Sequence, residues 1–248
     1  MKWTEESLSS LPTAGGYRLR GEAMTRIEVF SDAAFAFAVT MLVISLSSIP
    51  QNFKELTEAM KGVPAFAASF SVIMVFWVTH RRWSRRFGLD DGISTFLTLA
   101  LVFIILVYVY PLKLIMNIMF FGLSGGWFPS EFDLSSSAEV AGLVVIYGAG
   151  FCALASIQLG LYLRVASLAD DLCLSRLERI LVKQEQLVWS VQATAGLLSA
   201  VLAWIFITSL GYLAGFVYCL IPIVIPLITW RTRREKQAVL TEVSTQPE

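Results

Sequence analysis

The chain has 248 residues, of which 56% are hydrophobic and only 15% are charged. Soluble domains carry about a quarter of charged residues, so this composition predicts an integral membrane protein. The 19 basic and 19 acidic side chains balance, which leaves no excess positive charge for nucleic-acid binding. The single histidine, His80, has no cysteine or acidic residue at metal-ligand spacing. We therefore expect neither an enzyme nor a resident metal or cofactor.

Six apolar stretches are long enough to cross a membrane as helices, which takes about 20 residues. They cover residues 27–47, 63–78, 93–116, 140–163, 187–208 and 212–230. Only residues 209–211 separate the last two stretches, and Gly211 indicates a tight helical hairpin because glycine commonly ends helices. The predicted fold class is all-α, an integral membrane protein with six transmembrane helices.

Basic residues collect on one side of the predicted membrane. They are Arg18, Arg20, Arg26, Arg81, Arg82, Arg85, Arg86, Arg164, Arg176, Arg179, Lys183, Arg231, Arg233, Arg234 and Lys236. The other side has only Lys54, Lys61 and Lys113, so the positive-inside rule predicts that both termini are cytoplasmic. We expect residues 1–25 to form a loosely ordered cytoplasmic N-terminal tail, residues 26–236 the transmembrane domain and residues 237–248 a cytoplasmic C-terminal tail.

The first apolar stretch contains a carboxylate, Asp32, which is costly at membrane depth unless it is paired. At about 100° per helical residue, Phe37, Thr40, Met41 and Ile44 fall on one stripe, and Asp32 lies about 140° from Phe37. The carboxylate and the stripe therefore face different surroundings. If Asp32 faces protein, the stripe faces lipid, another subunit or an axial pore.

The second span supplies partners for Asp32. Trp77 and His80 are three residues apart, hence on neighbouring positions of one helical face, at the same predicted depth. We expect a network that joins Asp32 to Ser31, His80, the indole N–H of Trp77 and Arg26 by charge-assisted hydrogen bonds. The alternative is that Trp77 and His80 are ordinary anchors at the membrane interface.

These residues resemble a known family. The string Arg26-x-x-x-Phe30-Ser31-Asp32, Thr40 on the same helix and Trp77-x-x-His80 on the next helix are similar to the signature of the lysosomal and bacterial transmembrane protein 175 potassium channels. The resemblance implies a prokaryotic, single-repeat member that forms a homotetramer in the bacterial inner (cell) membrane. The first helix of each copy would line the pore, without a re-entrant filter loop. Implied partners are membrane lipids and monovalent cations, with K⁺ bound transiently as the permeant ion.

The resemblance also assigns roles to individual residues of the stripe. It implies a pore constriction at Phe37, Met41 and Ile44, and a modest potassium selectivity at Thr40. Family members usually carry Ile or Leu where this chain has Phe37. Either the four phenyl rings rotate to leave a path, or Phe37 packs sideways and Met41 or Ile44 forms the narrowest ring. For Thr40, the alternative is a hydroxyl bonded to a carbonyl of its own helix.

Two other classes of protein are compatible with parts of the sequence. A secondary transporter would use Asp32 as a coupling site, and Pro222 and Pro226 are a candidate break in the last span. A non-conducting scaffold would use residues 172–187, where apolar residues recur at helical spacing among charges. We favour a cytoplasmic helical extension between the fourth and fifth spans for that segment.

Overall fold

The computed structural model describes residues 3–44, 50–130 and 136–244. The elements in chain order are α1 (Glu5–Ser9), β1 (Thr13–Ala14), β2 (Tyr17–Arg18), α2 (Arg26–Ile44), α3 (Phe53–Met60), α4 (Val63–Phe87), α5 (Gly92–Leu123), α6 (Ser137–Ser167), α7 (Arg176–Ile205), a 3₁₀ helix (Gly211–Leu220) and α8 (Ile221–Ser244). Within the described residues, six segments are long and apolar enough to span a membrane: α2, α4, α5, α6, α7 and Gly211–Gln237. The predicted six-helix fold is confirmed; residues 45–47 of the first predicted span lie outside the described residues.

Helices α4 and α7 extend well beyond the apolar stretches predicted for them. Helix α4 runs past the predicted end at residue 78 to Phe87 and stops at Gly88, whose φ of 58° gives the left-handed cap that favours glycine. Helix α7 begins at Arg176, after a capping box formed by Ser175 and Glu178. The predicted helical extension before the fifth span is therefore continuous with that span from Arg176 onward.

The sixth span changes helix type along its length. It starts as a 3₁₀ helix at Gly211, packs back against α7 as the predicted hairpin requires, and becomes the α-helix α8 at Ile221. A Cβ on Gly211 would lie 2.6 Å from the carbonyl oxygen of Ala203, so this connection needs glycine. Pro222 lies in the first turn of α8, directly after the 3₁₀ helix, and Pro226 lies inside α8.

Helices α6 and α7 form the most closely packed pair of the bundle. Their axes approach where Gly148 faces Gly196: a Cβ on Gly148 would lie 2.9 Å from the backbone nitrogen of Ala200, and one on Gly196 would lie 2.7 Å from that of Cys152. Small residues permit this approach because association inside a membrane depends on van der Waals packing. Helix α2 lies elsewhere, against α4 and α5.

The N-terminal segment, residues 3–20, packs onto the bundle, so the expectation of a loosely ordered tail is wrong for this part of the chain. Leu8 and Tyr17 are buried. The Tyr17 ring lies edge-on to Phe87 at 5.6 Å between centroids, and the Arg86 guanidinium lies 4.2 Å from the Tyr17 ring centre. Burial raises the pKa of the Tyr17 phenol, so this group stays neutral.

A buried ion pair anchors the end of this segment. Nη1 of Arg20 lies 2.7 Å from Oε1 of Glu178, and Nη2 lies 3.0 Å from Oε2. The Arg20 Nε donates to the carbonyl oxygen of Leu172 at 3.1 Å, and the backbone N–H of Arg18 donates to Glu178 Oε1 at 3.0 Å. The two-pronged contact suits the planar guanidinium. In the sequence, Arg20 is only one of the basic residues that indicate membrane orientation.

Candidate functional site

Helix α2 presents two contrasting faces. Ser31, Phe35, Ala38 and Leu42 are buried, on the side where α2 packs against α4 and α5. The opposite face is the stripe singled out by helical geometry, and most of it is exposed within the chain. The exposed fraction is 57% for Phe37 and 74% for Ile44; Thr40 is also exposed, and Met41 is half-buried at the edge of the stripe. No other helix of the described chain covers this face.

Phe30 is exposed on the same side. It was grouped with the polar motif residues in the sequence, yet its exposed fraction is 53%. On a helical projection it lies only about 20° from Phe37, and it is about two turns nearer the start of α2. The exposed stripe therefore extends from Phe30 through Phe37 and Thr40 to Ile44, the last residue of α2.

The carboxylate of Asp32 is bonded across to α4. The indole N–H of Trp77 donates to Asp32 Oδ1 at 2.8 Å, as the sequence analysis expected. The guanidinium of Arg81 lies 5.4 Å from the Trp77 ring centre, within range of a cation–π contact. The indole therefore lies between a carboxylate and a guanidinium. Trp77 is more than an interfacial anchor, because its only N–H is used to hold α2.

The rest of the expected network is arranged differently. His80 is buried, and its Nε2 lies 3.1 Å from Oγ1 of Thr98 on α5; no hydrogen bond joins it to Asp32. Ser31 donates to the carbonyl oxygen of Glu28 on its own helix at 2.9 Å. Positions three apart on a helix differ by about 60° in direction, so Trp77 faces α2 while His80 faces α5. Within the described residues, Arg26 is exposed and makes no hydrogen bond to Asp32.

The start of α2 carries a second link to α4 that sequence analysis missed. The backbone N–H of Thr25 donates to Glu28 Oε2 at 2.7 Å, and the N–H of Glu28 lies 3.4 Å from Thr25 Oγ1. The hydroxyl of Ser84 donates to the other carboxylate oxygen, Oε1 of Glu28. The Thr25-x-x-Glu28 spacing is that of a capping box, which is a signal readable in the sequence. Two carboxylates, Glu28 and Asp32, therefore join α2 to α4.

The hydroxyl of Thr40 is bonded to its own helix, the alternative to a free hydroxyl that the sequence left open. Its Oγ1 donates to the carbonyl oxygen of Ala36 at 2.9 Å. A hydroxyl has one donor and two lone pairs, so this bond uses the proton and leaves the lone pairs available on the exposed face. Bonding to its own helix therefore does not prevent the Thr40 oxygen from facing a cation.

Comparison with known proteins decides the family. A sequence model of the endosomal/lysosomal potassium channel TMEM175 matches residues 26–111, which contain α2, α4 and the first part of α5. A potassium channel of Marivirga tractuosa is 34% identical over 220 residues, which cover 84% of this chain and 88% of the relative. The chain belongs to the TMEM175 family. Its relatives are potassium channels and not enzymes, and nothing in these comparisons supports a secondary transporter.

Solved structures of TMEM175 proteins extend the likeness to the whole bundle. A variant of the potassium channel MtTMEM175, crystallised with a nanobody–MBP fusion protein, is 31% identical with a TM-score of 0.74, covering 90% of this chain and 100% of that one. A lysosomal potassium-selective channel TMEM175 homologue from Chamaesiphon minutus is 21% identical with a TM-score of 0.54, covering 84% of this chain and 96% of that one. The second likeness bears on the fold alone. This TMEM175 protein is a multi-pass membrane protein, with six candidate spans among the residues that the structure describes.

Proposed function

We propose that this protein is a potassium channel whose pore is enclosed by helix α2 from four copies of the chain. The observation that carries the proposal is the uncovered stripe of α2, where Phe30, Phe37 and Ile44 are more than half exposed although the opposite face is buried. A pore cannot be closed within one chain, because no described helix faces this stripe. Four copies placed around an axis would turn each stripe position into a ring.

Phe37, Met41 and Ile44 would form the apolar rings of such a pore. An apolar ring offers an ion no ligands, so it obstructs passage by excluding water and by requiring the ion to lose hydration. The exposure of Phe37 on the same stripe as Ile44 supports a phenyl ring directed to the axis. In this arrangement the four phenyl rings would have to rotate away from the pore axis to leave a path for ions.

Thr40 would contribute the selective step next to the Phe37 ring. Its hydroxyl donates to Ala36, so the lone pairs of four Thr40 oxygens could replace part of the hydration shell of a K⁺ ion. Na⁺ holds its water more tightly than K⁺. A ring of only four hydroxyl oxygens therefore compensates the dehydration of Na⁺ poorly. We expect a modest preference for K⁺, smaller than that of a filter lined by carbonyl groups.

Asp32 would act through helix position and not as an ion ligand. It lies about 140° around α2 from Phe37 and is bonded to Trp77 on α4. Together with the Glu28–Ser84 bond, this contact sets the position of α2 and hence the pore radius. With the basic ends of the helices on the cytoplasmic side, the mouth near Phe30 would open to the cytoplasm of a bacterial cell.

A potassium-flux assay on purified protein in liposomes tests the proposal. A potassium gradient should drive flux that rises with the gradient and does not saturate, at rates far above those of carriers, while protein-free liposomes stay silent. The mass of the detergent-solubilised particle should be that of four chains. Absence of flux under a strong gradient would reject the channel. Slow flux that saturates with K⁺ concentration would favour the transporter with Asp32 as its coupling site.

A further inference from the structure

Four cations of α4 and α8 lie at the basic end of the bundle. Arg82 and Arg86 are four residues apart on α4, and Arg233 and Lys236 are three apart on α8, so each pair lies on one helical face. Nη1 of Arg86 lies 3.3 Å from Oε1 of Glu185 on α7. Lys236 lies within electrostatic range of Glu185, Arg233 and Arg86. We call Arg82, Arg86, Arg233, Lys236 and Glu185 the basic cluster.

Arg82 is connected to this cluster through Tyr162. The buried Tyr162 lies within electrostatic range of Glu185, Arg86 and Arg82. On α8, the other acidic residue of this region, Glu235, lies about 100° around the helix from Lys236 and so points away from the shared face. Buried Thr232 lies about 40° around α8 from Lys236 and about 100° from Arg233, so Lys236 is the cation nearer to the face that packs on the bundle.

Charge within the basic cluster is unbalanced. Glu185 is the one carboxylate of the basic cluster, against four cations, and it forms an ion pair with Arg86. Among the side chains that the structure describes, Arg82 and Arg233 form no ion pair. Like charges held together repel, and the repulsion is stronger for the half-buried Arg86 and Lys236 than for the exposed Arg82 and Arg233. An anion with several oxygens would relieve this repulsion by accepting from two guanidinium groups at once.

A further hydrogen-bond donor lies beside the cluster. The hydroxyl of buried Tyr17 has no hydrogen-bond partner among the described residues, and the Arg86 guanidinium lies over its ring. The N-terminal segment therefore forms one wall of the cluster, next to α4. An anion bound here would contact groups that also hold this segment to the bundle.

The depth of the basic cluster matches that of lipid phosphates. The apolar part of the sixth span ends at Trp230, and the charged run begins at Arg231. The guanidinium of Arg234 lies 4.6 Å from the Trp230 ring centre, an arrangement typical of the membrane interface. Arg233 and Lys236 therefore lie one to two turns beyond the hydrocarbon boundary.

We propose that the basic cluster binds a phosphate group through Arg82, Arg86, Arg233 and Lys236. The group can come from an anionic phospholipid headgroup or from free phosphate, since both present the same oxygens to the guanidinium forks. Binding here does not depend on ion conduction. The four cations are on α4 and α8, and none of them belongs to α2, which carries the exposed stripe.

Ligand-dependent stability of the purified protein tests this site. Phosphatidylglycerol in mixed micelles should raise the thermal unfolding midpoint of the wild-type protein, whereas phosphatidylcholine should not, because a ligand stabilises the state that it binds. The double substitution Arg233→Gln with Lys236→Gln should abolish most of that rise. The matched control, Arg231→Gln with Arg234→Gln, removes the same charge from the other side of α8 and should keep it.

Native mass spectrometry provides a second measurement that does not depend on unfolding. The wild type and the control pair should retain phosphatidylglycerol, and the Arg233→Gln, Lys236→Gln protein should retain less. Inorganic phosphate at matched ionic strength distinguishes the source: a rise as large as that with the lipid identifies a free-anion site, and no rise identifies the lipid headgroup. Equal loss in both double variants, or no effect of either ligand on the wild type, would overturn the proposal.

Discussion

The N-terminal segment, residues 3–20, and helix α2 follow one another in the chain, but they differ in which side chains are buried within it. The N-terminal segment buries Tyr17 and ends in the Arg20–Glu178 ion pair, so its buried side chains pack against the same chain. Helix α2 buries one face and leaves the stripe from Phe30 to Ile44 uncovered. A charged side chain, Arg20, is thus buried, and an apolar face of α2 is exposed.

This difference in burial separates the residues expected to stabilise the fold from those proposed to line the pore. Polar groups of the N-terminal segment and of Asp32 and Glu28 hold helices in place, which makes them determinants of stability. Exposed apolar groups on α2 contribute little to the fold of one chain. The proposed pore would account for them by placing copies of the chain around the stripe. Substitutions in the two regions should therefore affect different measurements.

The largest effect on stability is expected for Arg20→Met. This change leaves the Glu178 carboxylate buried without its partner, at a cost of about 3–5 kcal/mol. The thermal unfolding midpoint in detergent and the yield of folded protein should both fall. Arg18→Met is the control, because the contact of Arg18 with Glu178 comes from the backbone. Equal midpoints for Arg20→Met and the wild type would mean that the segment does not depend on this pair.

Asp32→Ala should have the next largest effect. It removes the acceptor of the Trp77 indole, and a hydrogen bond to a charged group contributes about 1.5–3 kcal/mol. Thermal stability, tetramer assembly and single-channel current should all change. Asp90→Ala removes an exposed carboxylate and serves as the control. Trp77→Phe and the double variant complete a thermodynamic cycle, and additive losses of stability would contradict direct coupling. A fully assembled tetramer with unchanged conductance would reject the role of Asp32 in setting the pore.

Phe37→Ala should barely alter the fold of one chain, within about 0.5 kcal/mol, because the side chain is exposed there. It should instead raise single-channel conductance, since a smaller side chain widens the ring. Phe103→Ala on α5, where the ring is 68% exposed, is the matched control and should leave conductance unchanged. Identical conductance of Phe37→Ala and the wild type would move the constriction to Met41 or Ile44.

Thr40→Ala should have the smallest effect on stability, because the hydroxyl bonds only to its own helix. The variant should retain current but lose part of its preference for K⁺ over Na⁺. Reversal potentials measured with K⁺ on one side and Na⁺ on the other report this preference directly. Thr79→Ala is a useful control, since this hydroxyl also bonds to its own helix but lies on α4. An unchanged reversal potential for Thr40→Ala would separate Thr40 from selectivity.

Several features of the site were predictable because they depend on spacing along one helix. The 3.6-residue period placed Phe37, Thr40 and Ile44 on one face and Asp32 on another, and the structure has that arrangement. The same spacing put Trp77 and His80 on neighbouring positions. It could not say that the 60° between them, about one-sixth of a turn, is enough to direct His80 to Thr98 on α5.

Contacts between distant parts of the chain were not predictable in this way. Arg20 and Glu178 are 158 positions apart, and Glu28 and Ser84 are 56 apart. In the sequence, Arg20 is one of many basic residues near a membrane boundary, and nothing in its neighbourhood marks it as buried. Only the docking of the N-terminal hairpin beside the start of α7 selects it.

The sequence by itself determined the six spans, the segregation of basic residues to one end and the apolar stripe of α2. These follow from the cost of exposing polar groups to lipid and from helical periodicity, both of which are local properties of the chain. Tertiary structure alone decided which polar side chains meet: Asp32 with Trp77, Glu28 with Ser84, and Arg20 with Glu178. Each of these bonds requires a particular distance between two helices or segments and a particular rotation of each about its axis. Helix packing sets both.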